Sequence, residues 1–221
     1  MKILVTGGGS EEPIDNVRAV CNFSTGKTSA FLADFLADEG NDVTELVSVR
    51  AVKASKARIV EYKTFAQLQQ NLENECRTGN YDAVIHAAAV SDYSPFEVLV
   101  DGKSFAVGEF SKIPAGTELV VKMKKNPKLV DSIKQWGGSK TKLVAFKLTS
   151  NATLEQRKAA VDKVFAGNSD LNLKPDYVVS NDLSEITENK HPCKIFDLNG
   201  CVSQVSNLQE LAAELQNLIK K

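Results

Sequence analysis

Apolar residues along this chain fall alternately into short continuous runs and helical stripes, the pattern of a largely parallel sheet covered by helices. Lys2–Thr6 reads as a buried first strand, which Gly7-Gly8-Gly9 ends. The polar stretch Asn22–Lys27 then leads into a stripe of Phe31, Leu32, Phe35 and Leu36, with Gly40 and Asn41 suited to a C-cap and Asp42–Val49 as the next strand. Arg58–Lys63 alternates as a short strand, and Leu68 and Leu72 mark a helix over Phe65–Cys76. Tyr81–Val90 is apolar throughout and predicts a central strand covered on both faces. From Phe96 to Gly116 the alternation lapses before Glu118–Met123 resumes as a strand, so roughly 93–125 is expected to form an irregular flap.

Beyond the flap, Asn126-Pro127 predicts a helix through Trp136 with proline at its first position, followed by a strand over Lys142–Leu148. Thr153 and Gln156 form a capping box for a helix through Phe165, and Pro175–Ser180 reads as a strand ending at Asn181-Asp182. Lys194–Leu198 and Cys201–Val205 flank Asn199-Gly200, the signal of a type I′ hairpin. Ser206 or Asn207 caps a last helix with Leu208, Leu211, Leu215, Leu218 and Ile219 on one face. The expectation is an α/β chain, one domain over 1–221.

With 221 residues and a formal charge of −1, the chain has no basic excess that would select nucleic acid, although Lys122–Lys128 is a local positive cluster. No run approaches the roughly twenty apolar residues of a membrane span, and Met1 leads directly into a strand, so no membrane contact and a cytoplasmic location are expected. Cys21, Cys76, Cys193 and Cys201 have neither zinc-site nor disulfide-framework spacing and are expected as reduced thiols.

Candidate chemistry concentrates early in the chain. Gly7-Gly8-Gly9 permits close backbone approach, and Asn22, Ser24, Gly26 and Lys27 stand at a helix start, where free N–H groups and the dipole favour phosphate. Neither stretch completes a nucleotide fingerprint. Gly-x-Gly-x-x-Gly fails at Glu12, and the Walker A pattern fails at Cys21. Asp92 follows three alanines at a strand's carboxyl end, where α/β sheets bind ligands, and could meet a ribose hydroxyl or a base amino group. On its own Lys112 reads as a solvated lysine, His86 as a core histidine and His191 as a loop residue. With no nucleophile–histidine–acid set or metal cluster, chemistry would rest on positioning and charge stabilisation, as in nucleotidyl transfer.

Seven ordered blocks, Val5–Arg18, Asn22–Lys27, Ala87–Tyr93, Lys112-Ile113, Lys125–Pro127, Ala145-Phe146 and Asp176–Asp182, together resemble the phosphopantothenoylcysteine synthetase family, in its free-standing form without a flavin-dependent decarboxylase half. The resemblance implies a Rossmann-like, mostly parallel sheet with helices on both faces and an inserted dimerisation and active-site flap. It implies a homodimer that joins phosphopantothenate and cysteine through an acyl-nucleotidylate, using Mg2+ and CTP, with ATP as the other candidate. Carried onto this chain, Asn22 is the residue holding the acyl intermediate through its amide, and Lys112 is the flap lysine needed when cysteine reacts. Ala88, Asp92 and Phe146 surround the nucleoside; Gly7, Gly8, Gly9, Ser24, Gly26 and Lys27 form phosphate and substrate loops; Lys174 and Asn181 lie near the nucleotide. The metal ligands are left open. Two departures stand out: Pro114-Ala115 stands in place of two flap lysines, and Phe146 is followed by Lys147-Leu148-Thr149 where two-domain bacterial members have Ala-Ala-Glu-Thr. Rival readings are an NAD(P)-dependent reductase, opposed by the missing third glycine and Tyr-x-x-x-Lys pair, and a non-catalytic nucleotide-binding regulator.

Overall fold

The computed structural model describes residues 1–187 and 189–221. Its centre is an eight-stranded sheet. Six strands run parallel in the order β5 (Arg58–Tyr62), β4 (Asp42–Ser48), β1 (Lys2–Gly7), β6 (Ala83–His86), β10 (Lys142–Thr149) and β11 (Tyr177–Asp182). The antiparallel hairpin β12 (Cys193–Asp197) and β13 (Gly200–Val205) extends the β11 edge. Helices α1 (Lys27–Asp38) and α5 (Leu208–Ile219) cover one face, burying Leu32, Leu36, Leu211 and Leu215 over Ile3, Val5, Ile85 and Val179. Helices α2 (Phe65–Thr78), α3 (Ile133–Gly137) and α4 (Leu154–Phe165) cover the other. The chain is thus a Rossmann-like α/β fold with helices on both faces.

Several caps form as expected. Thr153 accepts from Gln156 N at 3.2 Å in a capping box, and Asn207 accepts from Glu210 N at 2.9 Å. Four expectations need correction. The central strand stops at His86, because the amides beyond it turn to the glycine turn: Ala88 N donates to Thr6 Oγ1 at 3.1 Å and Ala89 N to Gly8 O at 2.8 Å. No helix begins at Pro127. Asn126 is buried with its Nδ2 donating to Ser91 O and Ser94 Oγ, and Lys128 is extended, so only a 3-10 turn (Leu129–Asp131) and the short α3 follow. Asn199 does not take the positive φ that a type I′ turn demands; Asp197 Oδ1 instead accepts from Asn199 N and Gly200 N, and Gly200 alone is there at positive φ (142°).

The fourth correction is the flap, which is largely regular. β7 (Tyr93–Val100), β8 (Lys103–Ala106) and β9 (Leu119–Lys125) form an antiparallel sheet in the order β8-β7-β9. The two-residue turn Asp101-Gly102, with φ of 49° and 75°, is the type I′ hairpin of this chain, an Asp-Gly signal between alternating apolar residues. A further hairpin that the apolar pattern did not reveal, β2 (Glu11–Pro13) and β3 (Ala19–Cys21), packs Ile14 against Val98, Val100 and Ile113 of the flap.

Candidate functional site

Strand order reverses between β1 and β6, and ligands in open α/β sheets lie outside the carboxyl ends at such a switch point. The turn Gly7–Gly9, the loop Ala87–Asp92 and the start of α1 meet there. Tyr62, 1% exposed, donates to Gly7 O at 2.9 Å and reaches Gly8 O at 3.1 Å, fixing the turn from below. Thr6 Oγ1 ties the turn to the Ala87–Asp92 loop through Ala88 N and lies 2.9 Å from His86 Nδ1. Burial pushes the His86 imidazole down to about 4, so it is neutral and structural.

The glycines are required by the chain's own packing. A Cβ on Gly8, which sits at φ 78°, would fall 2.4 Å from Ser48 Oγ; one on Gly9 would meet Asn22 O at 2.3 Å, and one on Gly7 would overlap Ser29 Oγ. Gly26, at φ 75°, precedes α1 and packs on Ala51. The N-cap Gly26 has no side chain to cap α1, Lys27 N makes a long bond to Thr25 Oγ1 (3.4 Å), and the Ser29 hydroxyl turns back to Gly26 O at 2.9 Å, so the amides of Thr28 and Ser29 have no partner among the described residues. Beside them lies an open cleft of ≈ 320 Å³ lined by Gly9, Glu11, Asn22, Ser24, Ser48 and Arg50. Arg50 Nε pairs with Glu11 at 2.9 Å.

Gly7, Gly8, Gly9, Asn22, Ser24, Gly26, Lys27, Ala88 and Asp92 therefore share one rim, and Phe146 and Asn181 stand on neighbouring strands toward the same edge. Asn22 Nδ2 already donates to Ala89 O (3.3 Å) and Val90 O (3.0 Å), so the amide holds the alanine loop. The exposed Asp92 carboxylate pairs with Lys128 at 2.5 Å. Asn181 is 8% exposed; its Nδ2 lies 3.1 Å from His191 Nε2, and its Oδ1 has no partner among the described residues. Lys174 is not brought to this rim. It precedes β11 at the amino end of that strand and lines a separate hollow with Lys134, Asp176 and Asp197. Lys112 lies on the flap, exposed, and no contact joins it to Asn22 among the described residues.

Sequence reasoning gave no role to Asp15 or Tyr62, met Glu12 only as the break in the glycine fingerprint, and read His191 as a loop residue. Glu12, at the position of the absent third glycine, is a buried carboxylate accepting from Phe65 N at the α2 N-terminus (2.7 Å) and from Ser94 Oγ (2.8 Å). Its partners lie some fifty and eighty residues away, so no local window of the sequence marks it.

Fold and rim together define a Rossmann-like domain with an open cleft beside the glycine turn and the start of α1. Residues 1–221 match the DNA/pantothenate metabolism flavoprotein C-terminal domain family, and the chain belongs to that family. It is 30% identical over 162 residues to the coenzyme A biosynthesis bifunctional protein CoaBC of Thermococcus kodakarensis, covering 73% of this chain and 38% of that protein. With the Escherichia coli CoaBC the identity is 25% over 85% of this chain and 42% of that protein. The chain thus spans less than half the length of these curated relatives. Among solved structures, the DNA/pantothenate metabolism flavoprotein from Streptococcus pneumoniae superposes with a TM-score of 0.86 at 28% identity, covering 100% of this chain and 98% of that one. A Cab2 H337A mutant in complex with phosphopantothenate-cysteine shares the fold, with a TM-score of 0.77 at 18% identity over 99% of this chain and 86% of its own.

Proposed function

We propose that this chain is a phosphopantothenate–cysteine ligase of coenzyme A biosynthesis, acting as one ligase unit over 1–221 with its flap over roughly 93–125. The observation that carries the reading is the convergence of the glycine turn, the uncapped α1 N-terminus and the Asn22-held alanine loop on one rim of a chain belonging to this family. The bifunctional CoaBC relatives and the Cab2 complex support it.

In the first half-reaction the phosphopantothenate carboxylate oxygen attacks the α-phosphorus of a nucleoside triphosphate. The bond from that phosphorus to the β-phosphate bridging oxygen breaks, and pyrophosphate leaves. The α1 amides, Ser24 and Lys27 hold phosphate oxygens, with Ala88, Asp92, Phe146 and Asn181 toward the nucleoside. In the second, the cysteine amine attacks the acyl carbon; a C–N bond forms, the C–O bond to the nucleotide breaks, and the amine loses a proton as nucleoside monophosphate departs. Asn22 turns its amide from Ala89 and Val90 to the acyl oxygen, where it stabilises developing charge. Lys112 from the partner's flap supplies positive charge as cysteine reacts, which makes a homodimer part of the reading.

CTP is favoured over ATP as the triphosphate. Among the described residues no three histidine, cysteine or acidic side chains converge. Magnesium enters with the triphosphate as substrate. No described helix is long and apolar enough to cross a membrane, and a cytoplasmic location belongs to the same proposal. The test is incubation with phosphopantothenate, cysteine and each triphosphate separately. Monophosphate and coupled product in equal amounts, strongest with CTP, are expected; pyrophosphate release independent of phosphopantothenate would refute the reading.

A further inference from the structure

Lys112 belongs to no strand, yet the residue after it is among the most firmly held in the flap. Ile113 is 1% exposed, packed with Ile14, Val98 and Val100, and both of its backbone polar groups are taken by the loop between β2 and β3. Its N–H donates to Asp15 Oδ2 at 3.0 Å, and its carbonyl accepts from Arg18 Nη1 and Nη2 at 3.3 and 3.2 Å. Asp15 also accepts from Val17 N (2.8 Å), Arg18 N (2.6 Å) and Arg18 Nη1 (2.6 Å), so one inaccessible carboxylate closes its own loop and the flap at once. Asn16 N adds a bond to Ser111 O at 3.3 Å, on the other side of Lys112. The backbone N–H of Ile113 is the largest influence and, together with those of Val17 and Arg18 and the Arg18 guanidinium, outweighs the considerable opposing effect of burial and holds the Asp15 carboxyl at about 2, so it is charged wherever the protein is folded near neutrality. Lys112 itself is exposed, and its ammonium makes no ion pair among the described residues.

We propose that Asp15 is the positioning residue for Lys112: by holding Ile113 it sets where the lysine projects, and it acts on the second half-reaction through that lysine. This rests on the ligase reading. Asparagine at position 15 keeps the shape and can still accept within its own loop, but it turns an amide toward two donors, Ile113 N–H and the Arg18 guanidinium. The flap segment is then released while the Gly7–Gly9 rim, built from other contacts, is untouched.

Two measurements on the full chain test this. In the ligase assay, Asp15→Asn is expected to leave phosphopantothenate-dependent pyrophosphate release within about twofold and to slow cysteine-dependent product formation at least about tenfold, the scale of an ångström-level misplacement. In a Lys112→Gln background the same substitution should change product formation no further, since contacts that share one route are non-additive. Equal slowing of both half-reactions, or full additivity with Lys112→Gln, would overturn the assignment. The second measurement does not need activity. Trypsin cleavage after Lys112 should accelerate about tenfold or more in Asp15→Asn at unchanged circular dichroism, and an unchanged cleavage rate would also overturn it. A wild-type protein without pyrophosphate release, but with Asp15-dependent protection of Lys112, would strike the ligase reading and leave the tether standing.

Discussion

Glu45 is a carboxyl in the middle of β4, between Val5 of β1 and Ile59 of β5, and it is 0% exposed. Its Oε2 accepts from Ala54 N at 2.7 Å, while Oε1 has no partner among the described residues. Desolvation raises its pKa above 4.5, aided by Asp34 of α1 and opposed by Ala54 N–H, the Ser29 hydroxyl and Lys53; Tyr62 of β5 also feels its charge. The folded protein therefore keeps this proton after the unfolded chain has released it. Unfolding then releases a proton, so the Glu45 contribution is most favourable below pH 4.5 and is progressively lost as pH rises toward the folded-state pKa. Each unit of upward shift withdraws about 1.4 kcal/mol. For a chain of this size 1 kcal/mol is about 2–4 °C in Tm, so each unit amounts to about 3–6 °C.

The perturbation is Glu45→Gln, which keeps an acceptor for Ala54 N and cannot ionise. Any pH-independent penalty of the new amide displaces the whole curve, so the informative quantity is how the difference in Tm between variant and wild type changes with pH. That difference should move in favour of the variant as pH rises from 4.5 through neutrality, measured by calorimetry in half-unit steps, because all other titrating groups cancel. Parallel curves across that interval would refute the reasoning.

Three further outcomes follow from the rim. Tyr62→Phe removes the donor beneath Gly7 O and Gly8 O and is expected to cost about 1–3 kcal/mol of stability and to raise the KM for triphosphate, checked by denaturant titration and steady-state kinetics. Asn22→Asp puts a carboxylate against Ala89 O and Val90 O and takes a donor from the acyl oxygen, so product formation should fall about 10²-fold while some pyrophosphate release survives; an unaltered product rate removes Asn22 from the mechanism. Lys174→Gln, at the amino end of β11, should leave the KM for triphosphate within about twofold, whereas a large rise would return that lysine to the nucleotide.

Where neighbours in sequence are neighbours in space, the chain was legible. The βαβ unit, the Thr153–Gln156 box and the Asn207 cap depend on residues a few positions apart, and they form as the pattern predicts. Tyr81–Val90 misled because its apolar run continues past the strand: Ala87–Ala89 are small so that their amides can reach Thr6 and Gly8, a pairing across some eighty residues that no local window contains. Pro127 misled for the same reason, since the bonds of Asn126 to Ser91 and Ser94 override a local helix start. The Asp101-Gly102 hairpin, by contrast, was readable and was lost inside a segment treated as irregular.

The glycines carry the same lesson into the site. Gly7–Gly9 drew attention as backbone open to a ligand, but the positions of their absent Cβ atoms are filled by Ser29, Ser48 and Asn22. Their smallness brings the β1 turn, the α1 start, the β4 exit and the Asn22 segment to one point, and the proposed phosphate contacts fall on the amides at the α1 start beside it. The same division holds at the flap: Asp15 shares its acceptors between its own loop, through Val17 N, Arg18 N and the Arg18 guanidinium, and the Ile113 N–H beside Lys112. Asp15 and Glu12 are thus buried carboxylates that hold backbone N–H groups, whereas Lys27 and Lys112, the lysines on which the proposed chemistry draws, are exposed.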